Sequence, residues 1–164
     1  MKLFEGAIQA LCDAGVEFVV VGGLAANLLG SRRTTYDVDV CYSRSRENLR
    51  RLAVALAPFH PRPRGFPPDL PFVWDERTLR NGAAFTLETD LGGIDLLAEV
   101  AGLGTFDRVK ARSVVAGVFG RTFHTLDLPA LIAAKKAAGR GNDLEALLEL
   151  EGLLEAQEPE PPTS

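Results

Sequence analysis

Residues 17–42 constrain the fold of this 164-residue chain more than any other stretch. An apolar run ends at Gly22 and Gly23, and small residues and leucines follow, which predicts a buried strand, a tight turn and the start of a helix. A second β-rich run then carries Asp37 and Asp39. Because successive strand side chains alternate between faces, we expect both carboxylates on one face of the sheet.

The pair formed by Asp37 and Asp39 indicates a metal site. Two carboxylates on one face repel each other, and Mg²⁺ takes oxygen ligands, commonly one or two carboxylates together with nucleotide phosphates. Glycines in a turn let the backbone approach a ligand closely, and a helix that starts there offers unpaired N–H groups to a phosphate. We therefore expect Gly22 and Gly23 to lie beside the same site.

The order of strand, glycine turn, helix and Asp-Val-Asp resembles the DNA polymerase β-like nucleotidyltransferase superfamily, and the 13 residues between Gly23 and Asp37 fit its spacing. The form Arg33-x-Thr35-x-Asp37-x-Asp39 is similar to a small bacterial branch that includes the AbiEii and MenT toxins. The resemblance implies an α/β (α+β) nucleotidyltransferase fold, with a small mixed sheet flanked by helices and a helical C-terminal segment. It also implies Mg²⁺ or Mn²⁺ as the cofactor.

A third acidic residue of the superfamily corresponds best to Asp95. The run 94–97 places this carboxylate among apolar neighbours, where a charge is costly unless it is paired or ligated. Glu88 and Asp90 are the rival candidates, although both lie nearer a predicted turn, and a strand-end Asp95 that faces water is the simpler alternative. The resemblance implies that Asp95 joins the carboxylate pair as a metal ligand and acts as general base.

The segment 131–143 is similar to the C-terminal Lys…Arg…Asp segment of the same superfamily. There the lysine faces the nucleotide phosphates and the aspartate holds the segment against the active site, which implies nucleotide binding by Lys135 and Arg140 and a supporting role for Asp143. Helical periodicity places Lys135 on an apolar face, so a lysine that snorkels or forms an ion pair is the alternative. Arg33 is expected either to contact the triphosphate or to anchor its loop.

Periodicity and turn residues predict the remaining elements. We expect helices over 2–14, from Ser45 to about 56 and from Asn142 to about 156, and a further helix that is capped by Asp127 and includes Lys135. We expect strands over 17–21 and 36–42, and hairpins formed by 83–89 with 93–100 and by 114–118 with 121–126. Six prolines within 58–71 exclude a helix or a central strand and predict a long irregular loop. That loop is either an acceptor-contacting segment or a disordered insertion.

Length and composition predict one domain over 1–156 and an acidic, proline-rich, disordered tail over 157–164. The lack of a long apolar run and of a signal-peptide pattern predicts a cytoplasmic protein without a membrane segment. Cys12 and Cys41 are too few for a disulfide framework and predict reduced core thiols. His60 and His124 are isolated, so no Cys/His metal array is expected.

The charges are distributed unevenly along the chain. Residues 30–64 hold eight arginines and three acids, whereas residues 142–164 hold seven acids and no lysine or arginine. The basic half surrounds the predicted metal site, which suits contact with a triphosphate or an RNA backbone. A solvated, arginine-rich helix face explains the same pattern equally well.

Four functional hypotheses follow. The leading one is a Mg²⁺-dependent nucleotidyltransferase, similar to toxin–antitoxin enzymes, that moves a nucleoside monophosphate from an NTP to a hydroxyl of tRNA or protein. The alternative is an antitoxin or binding partner with this fold that modifies or sequesters a cognate toxin. A glycosyltransferase that uses Asp-Val-Asp as its metal motif is disfavoured by the glycine turn and the short chain. An inactive copy that keeps only the fold is the fourth.

Overall fold

The computed structural model describes residues 2–139 and 144–157. The helices are α1 (Lys2–Asp13), α2 (Gly22–Leu28), α3 (Arg46–Leu56), α4 (Glu76–Asn81), α5 (Phe106–Ala111), α6 (Leu128–Ala138) and α7 (Leu144–Gln157). The strands are β1 (Phe18–Val21), β2 (Asp37–Tyr42), β3 (Arg62–Pro63), β4 (Ala84–Thr89), β5 (Gly92–Leu97), β6 (Glu99–Val100), β7 (Gly104–Thr105), β8 (Ser113–Val118) and β9 (Arg121–Leu126).

Seven strands form one mixed sheet in the order β3-β4-β5-β2-β1-β9-β8, and β6 pairs with β7 in a separate ribbon. The pairs β1–β9 and β2–β5 are parallel, and the other neighbours in the main sheet are antiparallel. All four residues of β1 are buried, as expected for a central strand covered on both faces. The predicted α/β class and the mixed sheet are therefore confirmed.

Local signals place the helix boundaries close to the predicted ones. Helix α1 buries Phe4, Ala7, Ile8 and Leu11 at helical spacing. The Ser45 side chain accepts a hydrogen bond from the amide of Asn48 at the start of α3, and that of Asp127 accepts one from the amide of Ala130 at the start of α6. Asn142 and the tail beyond Gln157 lie outside the described residues, so the predicted cap and tail stay predictions.

The proline-rich segment 58–71 and the residues that follow it contain more regular structure than the sequence predicted. A short 3₁₀ turn spans Ala57–Phe59, β3 pairs with β4, and α4 begins where the Asp75 side chain accepts a hydrogen bond from the Thr78 amide. Pro63 is compatible with β3 because this strand lies at the sheet edge, where a missing N–H breaks no ladder. The strand predicted over 93–100 is divided into β5 and β6, and α5 was not predicted.

Two further features complete the fold. Buried Asn48 accepts a hydrogen bond from the Glu17 amide and donates to the carbonyls of Glu17 and Ser43, which ties α3 to the ends of β1 and β2. Cys12 and Cys41 are both free thiols. Of the helices in the described ranges, none has the length and apolar character that crossing a membrane requires.

Candidate functional site

The candidate site lies at one end of the main sheet, where β1 and β9 end and where β2 and β5 begin. Strand β1 runs into α2 at Gly22, and β9 runs through Asp127 into α6. Because β1 is antiparallel to β2, the end of β1 meets the start of β2, and Val21 lies opposite Asp39. The glycine turn and the Asp-Val-Asp strand therefore meet at this end of the sheet, as the sequence predicted.

The third predicted carboxylate lies directly beside the pair. In the parallel ladder between β2 and β5, Asp39 is the Cα partner of Asp95 and Asp37 is the partner of Gly93. Asp37 and Asp39 are partly exposed whereas Val38 and Val40 are buried, which is the alternation that a strand imposes. The three predicted carboxylates are thus brought together by sheet register.

Asp39 has the most perturbed environment of the three. Burial, the negative charge of Asp95, a hydrogen bond with Asp95 and the negative charge of Asp37 together raise the pKa of its carboxyl from 3.8 to about 7, against the lowering effect of Arg64. Its Oδ1 atom is buried and has no hydrogen-bond partner. A buried carboxylate oxygen without a donor is a suitable ligand for a cation.

Glycines leave room for the carboxylates on both sides. Gly22 has a φ of +65°, and a Cβ there would overlap Oδ2 of Asp39. A Cβ at Gly93 would overlap Oδ1 of Asp37. A Cβ at Gly23 would stand 2.5 Å from the Thr35 hydroxyl oxygen. These positions hold glycine because the side chains of the site occupy the space that a Cβ would need.

A cavity of about 600 Å³ adjoins Asp39 and extends towards α6 and α7. Five of the predicted site residues line it: Gly22, Gly23, Arg33, Asp39 and Lys135. Val100, Leu131 and Leu150 contribute an apolar part of the wall. The cavity thus combines an apolar wall, the cations Arg33 and Lys135 and three carboxylates, in a volume typical of small-molecule sites. The carboxylates are those of Asp39, Glu99 and Glu149.

The loop 31–36, which carries Arg33 and Thr35, is fixed from two sides. The Asn27 amide on α2 donates hydrogen bonds to the carbonyls of Ser31 and Arg33 at 3.1 and 2.8 Å. From α7, Glu149 accepts hydrogen bonds from the Ser31 hydroxyl at 2.5 Å and from the Arg32 amide at 3.3 Å. The contact of Glu149 with Ser31 and Arg32 was not predicted, because these residues are more than a hundred positions apart.

The arginines of the basic segment serve different roles. Those on α3 pair with acids of the same surface: Arg46 with Glu76, Arg50 with Glu47 and Glu76, and Arg51 with Glu47. Arg44 donates hydrogen bonds to the carbonyls of Leu79, Arg80 and Gly82 at the C-terminal end of α4. Only part of the basic segment therefore reaches the site, and α3 fits the solvated helix face that the sequence left open.

Sequence reasoning missed one arginine of the site. The guanidinium of Arg64 lies 3.3 Å from Oδ1 of Asp95 and 3.6 Å from Oδ1 of Asp37, and its Nε lies 2.7 Å from Oε1 of Glu88. The rival candidate Glu88 is thus a partner of Arg64, and Asp90, the other rival, lies 2.6 Å from His60. Arg140 and Asp143 lie outside the described residues.

The described residues contain no group of three or more His, Cys, Asp or Glu side chains arranged to hold a metal ion. Two carboxylates suffice for Mg²⁺ where phosphates and water complete the coordination, and Asp39 and Asp95 supply such a pair. Comparison of the sequence with protein-family models gives no match. Comparison with curated proteins gives no significant match either.

Proposed function

We propose that this chain is a nucleotidyltransferase that uses Mg²⁺ or Mn²⁺ to move a nucleoside monophosphate from an NTP to an acceptor hydroxyl, on a nucleotidyltransferase fold. The observation that carries the proposal is the placement of Asp39 beside Asp95 in the β2–β5 ladder, at the side of a cavity that also contains Lys135. Carboxylates beside a cavity that carries Arg33 and Lys135 suit a metal-bound triphosphate.

The residues present fit a divalent cation. The Oδ1 atom of Asp39 is buried and has no hydrogen-bond partner, whereas its Oδ2 atom occupies the space that a Cβ at Gly22 would need. Asp95 is the neighbour of Asp39 across the ladder. A divalent ion would polarise the α-phosphate and lower the pKa of an acceptor hydroxyl. Asp39 and Asp95 are the pair that would hold it, and Asp37, on the same face of β2, is the further ligand that we propose would join them.

The remaining steps belong to side chains of the chain itself. Asp95 is the base that takes the proton of the acceptor hydroxyl as the new bond between oxygen and the α-phosphorus forms. The bond between the α-phosphorus and the bridging oxygen breaks, and pyrophosphate leaves. Lys135 and Arg33 line the cavity and offset the charge of the triphosphate and of the departing pyrophosphate.

The proposal is tested by incubating the protein with each α-³²P-labelled NTP and Mg²⁺, with and without total tRNA, and resolving RNA and protein on gels. Label in the tRNA band identifies an RNA acceptor, and label in a protein band identifies protein modification, including modification of a co-expressed partner toxin. We expect Asp37→Asn to abolish labelling. The matched control Asp69→Asn, in the exposed part of the proline-rich loop, should label normally. Equal labelling by the folded Asp37→Asn protein would refute the proposed mechanism.

A further inference from the structure

Arg64 is a cation built into the carboxylate cluster. Its Nη2 atom lies 3.3 Å from Asp95 and 3.6 Å from Asp37, so one nitrogen is shared between two proposed metal ligands. Its Nε atom is held separately by Glu88 at 2.7 Å. The guanidinium therefore has one end anchored outside the cluster and the other end inserted into it.

The backbone of Arg64 is fixed, so the side chain is the part that can move. The Arg64 amide donates a hydrogen bond to the Thr86 carbonyl at 2.8 Å, directly after the pairing of β3 with β4. Gly65 follows with a φ of +76° and turns the chain away from the sheet. The Arg64 side chain remains partly exposed, at 36%, which leaves solvent-side space for the tip to rotate into.

The local geometry is shaped around this contact. A Cβ at Gly93 would stand 2.8 Å from Nη2 of Arg64 and would also overlap Oδ1 of Asp37. The absence of a side chain at Gly93 thus makes room for the guanidinium as well as the carboxylate. Three neighbouring carboxylates repel one another, and the positive charge of Arg64 offsets part of that repulsion.

We propose that Arg64 is the internal counter-ion of this site and competes with the divalent cation for Asp37 and Asp95. A cation bound by these carboxylates displaces the Nη2 end of Arg64, while Glu88 retains the Nε end. Arg64 thereby lowers the metal affinity and stabilises the fold before the ion binds. This inference rests on the metal site of the proposed function, and concerns a residue that the site contains in addition to its predicted ligands.

Competition between Arg64 and the metal ion predicts a different effect of removing Arg64 from the one expected if Arg64 bound the triphosphate. If Arg64 held the triphosphate, its removal would weaken NTP binding and leave the affinity for the metal alone unchanged. As a competitor, its removal strengthens metal binding in the absence of any nucleotide. A positive charge this close to the ligands is expected to change the affinity for a divalent ion by about tenfold or more.

The test is titration of the full chain with Mn²⁺ alone, followed by electron paramagnetic resonance of the free ion. We expect Arg64→Gln to lower the Kd for Mn²⁺ by about tenfold or more. The control Arg46→Gln removes the same charge from an arginine of α3 that pairs with Glu76, and should change the Kd by less than about twofold. Circular dichroism establishes that each variant is folded.

A second measurement uses thermal unfolding. In EDTA, Arg64→Gln should unfold at a lower temperature than the wild type, and Mg²⁺ should raise its Tm by more than it raises that of the wild type. If Arg64→Gln does not fold, Arg64→Lys keeps the charge on a shorter side chain and should give an intermediate Mn²⁺ affinity. Unchanged or weaker Mn²⁺ binding by a folded Arg64 variant would overturn the inference and leave the proposed function standing. A wild type that binds no Mn²⁺, with or without NTP, would overturn both.

Discussion

At the scale of single residues, Asp39 is the group in the described part of the chain whose pKa lies furthest from its ordinary value. Burial and the charge of Asp95 raise its pKa from 3.8 to about 7, so the folded protein holds a proton at pH values where the unfolded chain has lost it. This group therefore stabilises the fold least at high pH. Its unfavourable contribution grows as the pH rises from about 4 to about 7 and is constant above that range.

We predict that Asp39→Asn raises the stability of the metal-free protein at pH 8. The amide cannot ionise, so the cost of the buried charge, on the order of 2–4 kcal/mol, is removed. Urea unfolding in EDTA between pH 4 and pH 9 measures this. The wild type should lose stability relative to Asp39→Asn across the range from about 4 to about 7. Parallel curves for the two proteins would show that Asp39 is not protonated in the fold.

Gly93 offers a second residue-scale test, because its backbone does not need positive φ but its side-chain space is occupied. Gly93→Ala should displace Asp37 and Arg64 and cost about 1–3 kcal/mol of stability. It should also change the Kd for Mn²⁺, because it moves both a proposed ligand and the cation that competes for it. Gly117→Ala in β8 is the matched control, since the nearest atom to its Cβ, Cγ2 of Thr122 in β9, would be 4.0 Å away. Chemical denaturation and Mn²⁺ titration measure both variants. A Gly93→Ala protein with normal stability and metal binding would contradict the described packing.

The sequence predicted the carboxylates at this scale and did not predict Arg64. Asp37 and Asp39 could be predicted because strand alternation places both side chains on one face. Asp95 could be predicted because it is a single carboxylate in an apolar run. Arg64 lies in a proline-rich segment, where neither the helical nor the strand periodicity of side chains applies and no strand register can be assigned. Its contacts depend on the pairing of β3 with β4, which only the fold shows.

At the scale of elements, α7 holds the loop between α2 and β2 in place. Ser31 is the centre of this contact, because its hydroxyl donates to Glu149 at 2.5 Å and accepts from the Arg33 amide at 3.2 Å. The C-terminal helix thus does more than cover apolar surface. It orders a loop whose Arg33 lines the cavity.

We predict that Ser31→Ala destabilises the protein by about 1–2 kcal/mol, because a buried hydroxyl and its two hydrogen bonds are lost. It should also raise the Kd for a magnesium–NTP complex several-fold, since the loop is no longer ordered by α7. Ser113→Ala is the control, because it removes a hydroxyl that bonds to the Lys110 carbonyl and to His124 away from the cavity. Calorimetric titration with NTP measures the difference. Equal NTP affinity for the two variants would show that the contact between Glu149 and Ser31 contributes to stability and not to NTP binding.

Element prediction succeeded where a local signal was strong. The caps Ser45 and Asp127 are present as expected, and both predicted hairpins exist. The six-residue helices α4 and α5 were missed because one and a half turns carry too little periodicity to be recognised. Strand β3 was missed because two residues give no alternation.

At the scale of the whole molecule, the parallel pairing of β1 with β9 brings segments that are distant in the sequence to one end of the sheet. Strand β9 ends beside the glycine turn and delivers α6, so Lys135 lines the same cavity as Gly22. The sequence indicated Lys135 only through its resemblance to the superfamily, since strand order cannot be derived from periodicity. The mixed order β3-β4-β5-β2-β1-β9-β8 requires contacts between strands far apart in the chain.

We predict that Lys135→Ala raises the Kd for a magnesium–NTP complex by about tenfold, because a positive charge in a cavity interacts with a triphosphate more strongly than one in open solvent. The neighbouring Lys136→Ala, which removes a lysine that pairs with Glu151 at 3.3 Å, should change it little. Equilibrium dialysis with labelled NTP compares them. Equal affinities would assign Lys135 a structural role on α6.

The central claim is transfer of a nucleotidyl group, and the position of the transferred label tests it most directly. The protein is incubated with Mg²⁺, the acceptor fraction and either the α-³²P or the γ-³²P form of the same NTP, beside Asp39→Ala as the inactive reference. We predict α label on the acceptor and γ label released as pyrophosphate, with both products absent for Asp39→Ala. Appearance of γ label on the acceptor, or equal transfer by a folded Asp39→Ala protein, would contradict the proposed function.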